Sequence, residues 1–132
     1  MNVGLKDLVA EARRTATELA PDEASSSIEN GAVALVLDVR EPSEFAERHI
    51  AGAMNVPRGM LELRAAEDSP VADSHLTDRA DAGILVYCTK SPSARSLLAA
   101  QTLARLGYEK VSVLDGGLNA WAEAGLPTEE GS

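Results

Sequence analysis

The chain has very little of the side-chain chemistry that cross-links proteins or holds metals. It contains one cysteine, Cys88, which excludes an intramolecular disulfide and a cysteine-rich zinc site. Its two histidines, His49 and His75, are too few for a histidine-based metal centre. A metal site built from cysteine or histidine is therefore not expected.

Basic residues are also scarce, because 12 lysines and arginines stand against 21 aspartates and glutamates, for a formal net charge of −9. Such a chain has no excess positive charge to displace counterions, so neither nucleic acid nor an anionic membrane is an expected partner.

No stretch reaches the apolar length of a membrane-spanning helix. The N-terminal residues lack the pattern of a secretory signal, and a free thiol suits a reducing compartment, so we expect a cytoplasmic protein.

The length of 132 residues predicts one domain with a core of its own. Apolar runs of strand length predict strands at 34–39, 53–56, 84–87 and 111–114. Helical spacing predicts helices at 4–19, 21–31, 41–48, 118–124 and between the Cys88 loop and Gly107. Residues 58–82 are predicted as a short helix followed by a surface loop or lid. This alternation indicates an α/β fold with a mainly parallel sheet.

Cys88 follows directly after a predicted buried strand, and residues 89–95 then turn into a helix. In an open α/β sheet this junction is where ligands bind. Free backbone N–H groups at the helix start, together with Lys90 and Arg95, favour a thiolate over a thiol. The alternative is a buried structural cysteine, which its position at a strand end fits poorly. Cys88 is therefore the candidate nucleophile.

Four segments in order resemble the rhodanese-like domain family of single-domain sulfurtransferases. They are LDVREPSEFAERHIAGAMNVP from Leu37, VYC from Val86, RSLLAAQTLARLGY from Arg95 and VLDGGLNAW from Val113. The resemblance covers residues 20–128 and implies a three-layer α/β/α domain over 20–132 with a five-stranded, mainly parallel sheet. It leaves residues 1–19 as an amphipathic extension packed on that domain. This helix either caps the domain or binds a second copy or a sulfur-relay partner.

The resemblance implies that Cys88 takes sulfur from thiosulfate or another sulfane donor, holds it as a persulfide and passes it to a thiophilic acceptor. The expected partners are a small anionic sulfur donor and a sulfur-relay protein, and the protein is expected to be a monomer or a homodimer. Neither a metal nor an organic cofactor is implied for this reaction. Backbone N–H groups of the loop, with the charge of Lys90 or Arg95, would bind the donor. The candidate substrate-binding residues are Thr89, Lys90, Ser91, Ser93, Ala94, Arg95 and Arg58.

The active loop departs from the family pattern Cys-x-x-Gly-x-Arg-Ser. Arg95 stands seven residues after Cys88, so the loop is two residues longer, and it has no glycine. Ser91 as helix N-cap with Pro92 at the first helical position is one local interpretation. A changed loop leaves two alternatives to thiosulfate transfer. One is a sulfur-carrier or partner-binding module without turnover, and the other is an arsenate reductase or phosphatase.

Three residues are predicted to support the structure near the site. Asp38 and Arg40 flank the end of a core strand, where Arg40 either approaches the substrate or pairs with Glu44 or Glu47. His49 is expected to anchor the turn before Gly52 through a backbone hydrogen bond.

Arg58 is either a pocket residue or a solvated one. Gly116 and Gly117 indicate a tight turn with close packing, and Trp121 is predicted to lie in the core.

Overall fold

The strands that the sequence predicts as continuous apolar runs form the centre of one sheet. The computed structural model describes residues 2–132. Its helices are α1 Leu5–Thr15, α2 Pro21–Glu29, α3 Pro42–Glu47, α4 Leu61–Ala65, α5 Ser74–Thr77, α6 Ala94–Arg105 and α7 Gly117–Glu123, with a 3₁₀ turn at Arg58–Met60 before α4. Its strands are β1 Thr17–Leu19, β2 Leu35–Asp38, β3 His49–Ile50, β4 Met54–Asn55, β5 Gly83–Tyr87, β6 Lys110–Leu114 and β7 Thr128–Glu129.

Five strands pair in the order β1-β6-β5-β2-β4, and every pair is parallel. The short strands β3 and β7 form a separate antiparallel ribbon. Because parallel strands need crossover connections, helices cover both faces of the sheet. The predicted α/β fold with a five-stranded parallel sheet is confirmed.

The alternation along β5 divides the core between the two faces. Ile84, Val86 and then Cys88 belong to the cluster that contains residues of α4, α5 and α6, whereas Leu85 and Tyr87 belong to the cluster that contains residues of α2 and α7. Side chains two residues apart on a strand share a face, so Cys88 continues the α6 side of the sheet. The strand therefore delivers the thiol next to the start of α6.

The helix predicted over residues 4–19 is wrong at its C-terminal end. Helix α1 ends at Thr15, Ala16 is extended, and residues 17–19 form β1 at the edge of the sheet, paired with β6. Leu19 fits the helical spacing of the apolar residues, but its backbone gains parallel-ladder hydrogen bonds in the strand. The α1 residues Val9 and Ala12 are buried against Leu97 and Ala100 of α6.

The segment 58–82 is more ordered than the predicted loop or lid. It forms the 3₁₀ turn, α4 and α5, and the side chains of Leu61 and Leu76 are fully buried. Asp73 is the N-cap of α5, because its carboxylate accepts a hydrogen bond from the His75 N–H. The Tyr108 hydroxyl donates to the Ala65 carbonyl at 2.8 Å and ties this segment to the core. Burial of these two leucines holds the segment against the sheet.

Candidate active site

The loop after Cys88 enters α6 two residues later than the Ser-Pro pattern predicts. Ser93, not Ser91, is the N-cap of α6, and Pro92 lies outside the helix after a cis peptide bond. The Ser93 N–H donates to the Lys90 carbonyl at 2.9 Å, which closes a turn, and the Ser93 carbonyl accepts from the Leu97 N–H. Ser93 has a φ of 63°, in the left-handed region that a serine seldom occupies. The loop reaches this conformation without the family glycine.

The start of α7 clamps the first two residues of the loop. The Leu118 N–H donates to the Cys88 carbonyl and the Asn119 N–H donates to the Thr89 carbonyl, both at 2.9 Å. Gly117, with a φ of 59°, makes this approach possible, because a Cβ there would lie 2.6 Å from the Cys88 carbonyl oxygen. Each peptide is planar, so the Thr89 and Lys90 N–H groups point away from α7. The glycine pair thus forms the tight turn and close packing expected of it.

A cavity of about 200 Å³ opens beside the Cys88 thiol. It is lined by residues 88–92, Ala94 and Arg95. Among residues 2–132, no acceptor is found for the backbone N–H groups of residues 89–91 and 94–96. Pro92 has no N–H, and that of Ser93 is used within the loop. The loop and the first turn of α6 therefore carry six backbone N–H groups without an acceptor, and most of these residues line the cavity beside the thiol. Unpaired backbone N–H groups in one loop favour anion binding.

Cys88 is 3% exposed, and its side chain is within hydrogen-bond distance of a serine that the sequence prediction did not include. The Cys88 Sγ lies 3.3 Å from the Ser96 Oγ, and the Ser96 hydroxyl donates to the Ser93 carbonyl at 3.0 Å. The same hydroxyl can turn and donate to a thiolate. The sequence signal that could have identified Ser96 is the Arg95-Ser96 pair that follows the loop. The Ser93 hydroxyl oxygen is buried and has no hydrogen-bond partner among residues 2–132.

Arg95 lines the cavity, but its charge is compensated by a carboxylate from α3. The Arg95 guanidinium donates to the two Glu44 carboxylate oxygens at 2.7 and 3.2 Å, and to the Thr89 hydroxyl at 3.1 Å. The hydrogen bond from Arg95 lowers the pKa of Glu44 to about 2, and the same bond raises the pKa of Arg95. The pair stays ionised throughout the neutral range. Sequence reasoning assigned Glu44 only as a partner for Arg40.

Lys90 is the cation of the loop that stays available to a ligand. Its side chain is exposed and lines the cavity, and no ion pair joins it to another of the described residues. A flexible ammonium group of this kind acts as a mobile point charge. The positive charge that an incoming anion meets is therefore that of Lys90 more than that of Arg95.

Asp38 and Arg40 form a buried ion pair below the site, not a pair between Arg40 and Glu44 or Glu47. The Arg40 guanidinium donates to the Asp38 carboxylate at 2.8 Å and to the Arg48 carbonyl at 2.6 Å. Burial opposes the charge of Arg40, but the hydrogen bonds and charge of Asp38 outweigh it and raise the Arg40 pKa. This pair links the end of β2 to the end of α3.

His49 and Arg58 lie away from the Cys88 cavity. The His49 Nδ1 bonds the Phe45 carbonyl, and its Nε2 bonds Glu129, which also accepts from the Gly52 N–H. The ring therefore anchors the turn partly through Glu129. Arg58 donates to the Glu62 carboxylate and to a hydroxyl on α6, so the structure does not bring it together with Cys88.

Two classes of feature are not found in the described part of the chain. Within residues 2–132, no cluster of three or more histidine, cysteine, aspartate or glutamate side chains is placed to hold a metal ion. None of the helices there has the length and apolar character needed to cross a membrane.

The part of the chain that contains the loop and the central strands of the sheet is matched by a family profile. The sequence profile of the rhodanese-like domain matches residues 20–124. The chain belongs to the rhodanese-like domain family. The N-terminal helix α1 lies before the matched residues of this rhodanese-like domain.

Curated relatives and a solved structure extend the comparison. The rhodanese-like domain is 38% identical over 96 residues to thiosulfate sulfurtransferase 16 of Arabidopsis thaliana, covering 70% of this chain and 78% of that one. It is 37% identical over 120 residues to an uncharacterized protein of Synechocystis, covering 91% of this chain but 60% of the relative's length. A Rhodopseudomonas palustris protein of unknown function, described as a possible tyrosine phosphatase, has a TM-score of 0.87 at 32% identity and covers 98% and 96% of the two chains.

Proposed function

We propose that this rhodanese-like domain is a sulfurtransferase in which Cys88 carries sulfane sulfur as a persulfide. The observation that supports it most directly is the set of backbone N–H groups without an acceptor in the loop after Cys88, which lines a cavity of about 200 Å³ beside the thiol. The thiosulfate sulfurtransferase of Arabidopsis, at 38% identity, supports the same reaction class. Thiosulfate is the small anionic donor proposed here, and the acceptor is a thiophilic nucleophile.

The reaction divides into two displacements at sulfur. The Cys88 thiolate attacks the outer sulfur of thiosulfate, a new S–S bond forms, and the original S–S bond breaks with its electron pair leaving on sulfite. The acceptor, cyanide in the simplest assay, then attacks the terminal sulfur of the persulfide. Thiocyanate leaves and the Cys88 thiolate is restored. No external oxidant or reductant is needed, because in each step the nucleophile supplies one electron pair, the leaving group takes one away, and the transferred atom remains sulfane sulfur.

The loop residues have separate roles in this proposal. The free N–H groups of residues 89–91 and 94–96 stabilise the negative terminal sulfur of the persulfide. The Ser96 hydroxyl, 3.3 Å from Sγ, donates to the thiolate before attack. The Lys90 ammonium attracts the anionic donor and compensates the sulfite that leaves. These are the residues on which the transfer depends.

The proposal is tested by the intact mass of the protein after incubation with thiosulfate, and again after cyanide is added. The expected result is a gain of one sulfur atom that cyanide removes with formation of thiocyanate. The C88S variant keeps the fold and shows no gain. A wild-type protein that gains no sulfur from thiosulfate or from a persulfidated protein overturns the proposed function, as does a C88S variant that still loads.

A carrier function is a second candidate, because one observation favours a donor other than a small anion. Glu44 already neutralises Arg95. The cavity therefore attracts a doubly charged donor less than it would if the Arg95 charge were uncompensated. A persulfidated partner protein brings its sulfur by docking and depends less on that attraction. Slow loading by thiosulfate together with fast loading by a persulfidated protein supports the carrier function.

A phosphatase function is weaker on the same geometry. The R. palustris protein is described as a possible tyrosine phosphatase, and such an enzyme needs a general acid for the leaving group. The residues that line the Cys88 cavity include no aspartate, glutamate or histidine. We expect no turnover of an aryl phosphate, and turnover that C88S abolishes would reverse this ranking.

A further inference from the structure

The helix α1, which precedes the matched residues 20–124, reaches the active loop through one side chain. The Arg13 Nη2 donates to the Pro92 carbonyl at 2.8 Å, across 79 residues of sequence. Arg13 also forms a looser ion pair with Glu18 at 3.5 Å. The two displacement steps at sulfur do not involve Arg13, so this contact acts on the loop and not on the reacting atoms.

The Pro92–Ser93 peptide is held at both of its polar ends. Arg13 binds its carbonyl oxygen, and its N–H donates to the Lys90 carbonyl at 2.9 Å. A planar peptide bound on both sides has a defined orientation. This peptide leads into Ser93, whose left-handed φ of 63° is unfavourable for a serine and persists only where its surroundings impose it.

The helix that carries Arg13 packs on α6, the helix that begins at the loop. Val9 and Ala12 of α1 are buried against Leu97, Ala100 and Val113. Since α1 packs on α6, the Arg13 hydrogen bond ties Pro92 to the helix into which the loop leads. Pro92 lines the Cys88 cavity on one side and a groove under α1 on the other.

We propose that Arg13 is a positioning residue for sulfur transfer, which holds the active loop closed around the Cys88 sulfur. This inference rests on the proposed function. Without Arg13 the loop relaxes at Pro92 and Ser93, so the free N–H groups lose their common alignment and the buried thiol becomes more accessible. The anionic donor then binds less well, while a small neutral reagent reaches Cys88 more easily.

The test compares R13A with R13K, which keeps a donor, and with two controls. R14A removes the neighbouring exposed arginine, and E18Q removes only the ion pair. For each variant we measure KM and kcat for thiosulfate with cyanide, the rate at which iodoacetamide alkylates Cys88, and the melting temperature. A loss of overall stability lowers the melting temperature of the variant. Loop opening instead raises KM for thiosulfate and makes the alkylation of Cys88 faster.

In R13A we expect KM for thiosulfate to rise about fivefold to tenfold, as for the loss of one hydrogen bond from a charged donor, and kcat to stay within about twofold. Alkylation of Cys88 is expected to become about threefold faster, since opening precedes reaction at a buried thiol. R13K recovers most of both changes, and R14A and E18Q match the wild type.

Three results overturn the proposal. The first is an R13A variant whose KM and alkylation rate match the wild type. The second is an R14A variant whose KM and alkylation rate change as much as those of R13A. The third is an R13A variant whose KM rises without faster alkylation of Cys88. If R13A does not fold, KM for thiosulfate and the alkylation rate of Cys88 are measured in R13Q in its place, and the same results overturn the proposal. The alkylation rates need no sulfur transfer, so a wild-type protein that carries no sulfur overturns the proposed function and still leaves the effect of Arg13 on the loop measurable.

Discussion

Replacing Glu44 by glutamine is expected to improve, not impair, the use of anionic sulfur donors. Glu44 accepts two hydrogen bonds from Arg95 beside the Cys88 cavity and cancels its charge. Glutamine keeps the shape of the side chain, and it can still accept the Glu41 N–H in the first turn of α3. The substitution therefore removes one negative charge from the site and little else.

The size of the effect follows from the charge and its exposure. For a donor charge taken to lie about 8 Å from the Glu44 carboxylate, an effective dielectric constant of about 20 makes the repulsion of this charge pair about 2 kcal/mol. The Glu44 and Arg95 side chains are 34% and 40% exposed, so solvent screening reduces this. About 1 kcal/mol remains, which corresponds to a KM for thiosulfate about fivefold lower in E44Q than in the wild type.

The assay is thiocyanate formation at varied thiosulfate concentration, at low and at high salt. Because the gain is electrostatic, it should shrink as the ionic strength rises. The exposed Glu47 on the same helix gives the matched control E47Q, whose KM should stay at the wild-type value. A folded E44Q protein with an equal or higher KM refutes the reasoning, because it would mean that Arg95 binds the donor only when Glu44 holds it.

The same variant predicts a change in the pH dependence of stability. The folded-state pKa of Glu44, about 2, lies below its ordinary 4.5, so this group stabilises the fold above about pH 4.5 and the stabilisation is lost as the pH falls toward 2. The difference corresponds to about 3 kcal/mol before screening and about 1 kcal/mol after it. E44Q should unfold about 1 kcal/mol more easily than the wild type at pH 7 in urea, and the gap should close near pH 2.

Three further variants test other parts of the site. K90Q should raise KM for thiosulfate about threefold at low ionic strength, with the effect disappearing in high salt, and a salt-independent change would contradict the role of Lys90. G117A should lose at least about 2 kcal/mol of unfolding free energy in urea and load sulfur poorly, because its Cβ meets the Cys88 carbonyl and its φ is left-handed. D38A should cost about 3–5 kcal/mol in the same unfolding measurement, because Arg40 stays buried without its carboxylate, and a loss below about 1 kcal/mol would contradict this.

The central strands and the position of Cys88 could be predicted from the sequence because they depend on local patterns. The buried strands β2 and β5 consist largely of apolar residues, and the strand-to-helix junction after β5 is legible without any tertiary information. The edge strand β1 was missed because it has three residues, and Leu19 also fits the helical spacing of α1. An edge strand this short is defined by its partner, β6, and not by its own residues.

The site details could not be predicted because they depend on residues far apart in sequence. Arg95 turns toward Glu44, 51 residues earlier, and no spacing rule connects the two. The Ser-Pro pair at 91–92 is a good N-cap signature, yet the helix starts at Ala94, because the turn from Lys90 to Ser93 competes with it. A left-handed serine has no sequence signature, and only the surroundings of Ser93 select it.

The two ends of the active loop are held by different parts of the molecule, and this bears on what its extra length changes. The Cys88 and Thr89 carbonyls are clamped by α7, so the backbone that carries the thiol is held by contacts from outside the loop. The loop turns and becomes left-handed only at its other end, where Arg13 of α1 holds Pro92. If Cys88 carries a persulfide as proposed, a change at the end that Arg13 holds alters the wall of the cavity, while the carbonyls beside the sulfur stay clamped. On that proposal the choice of donor depends on the contact between Arg13 and Pro92 as well as on the loop itself.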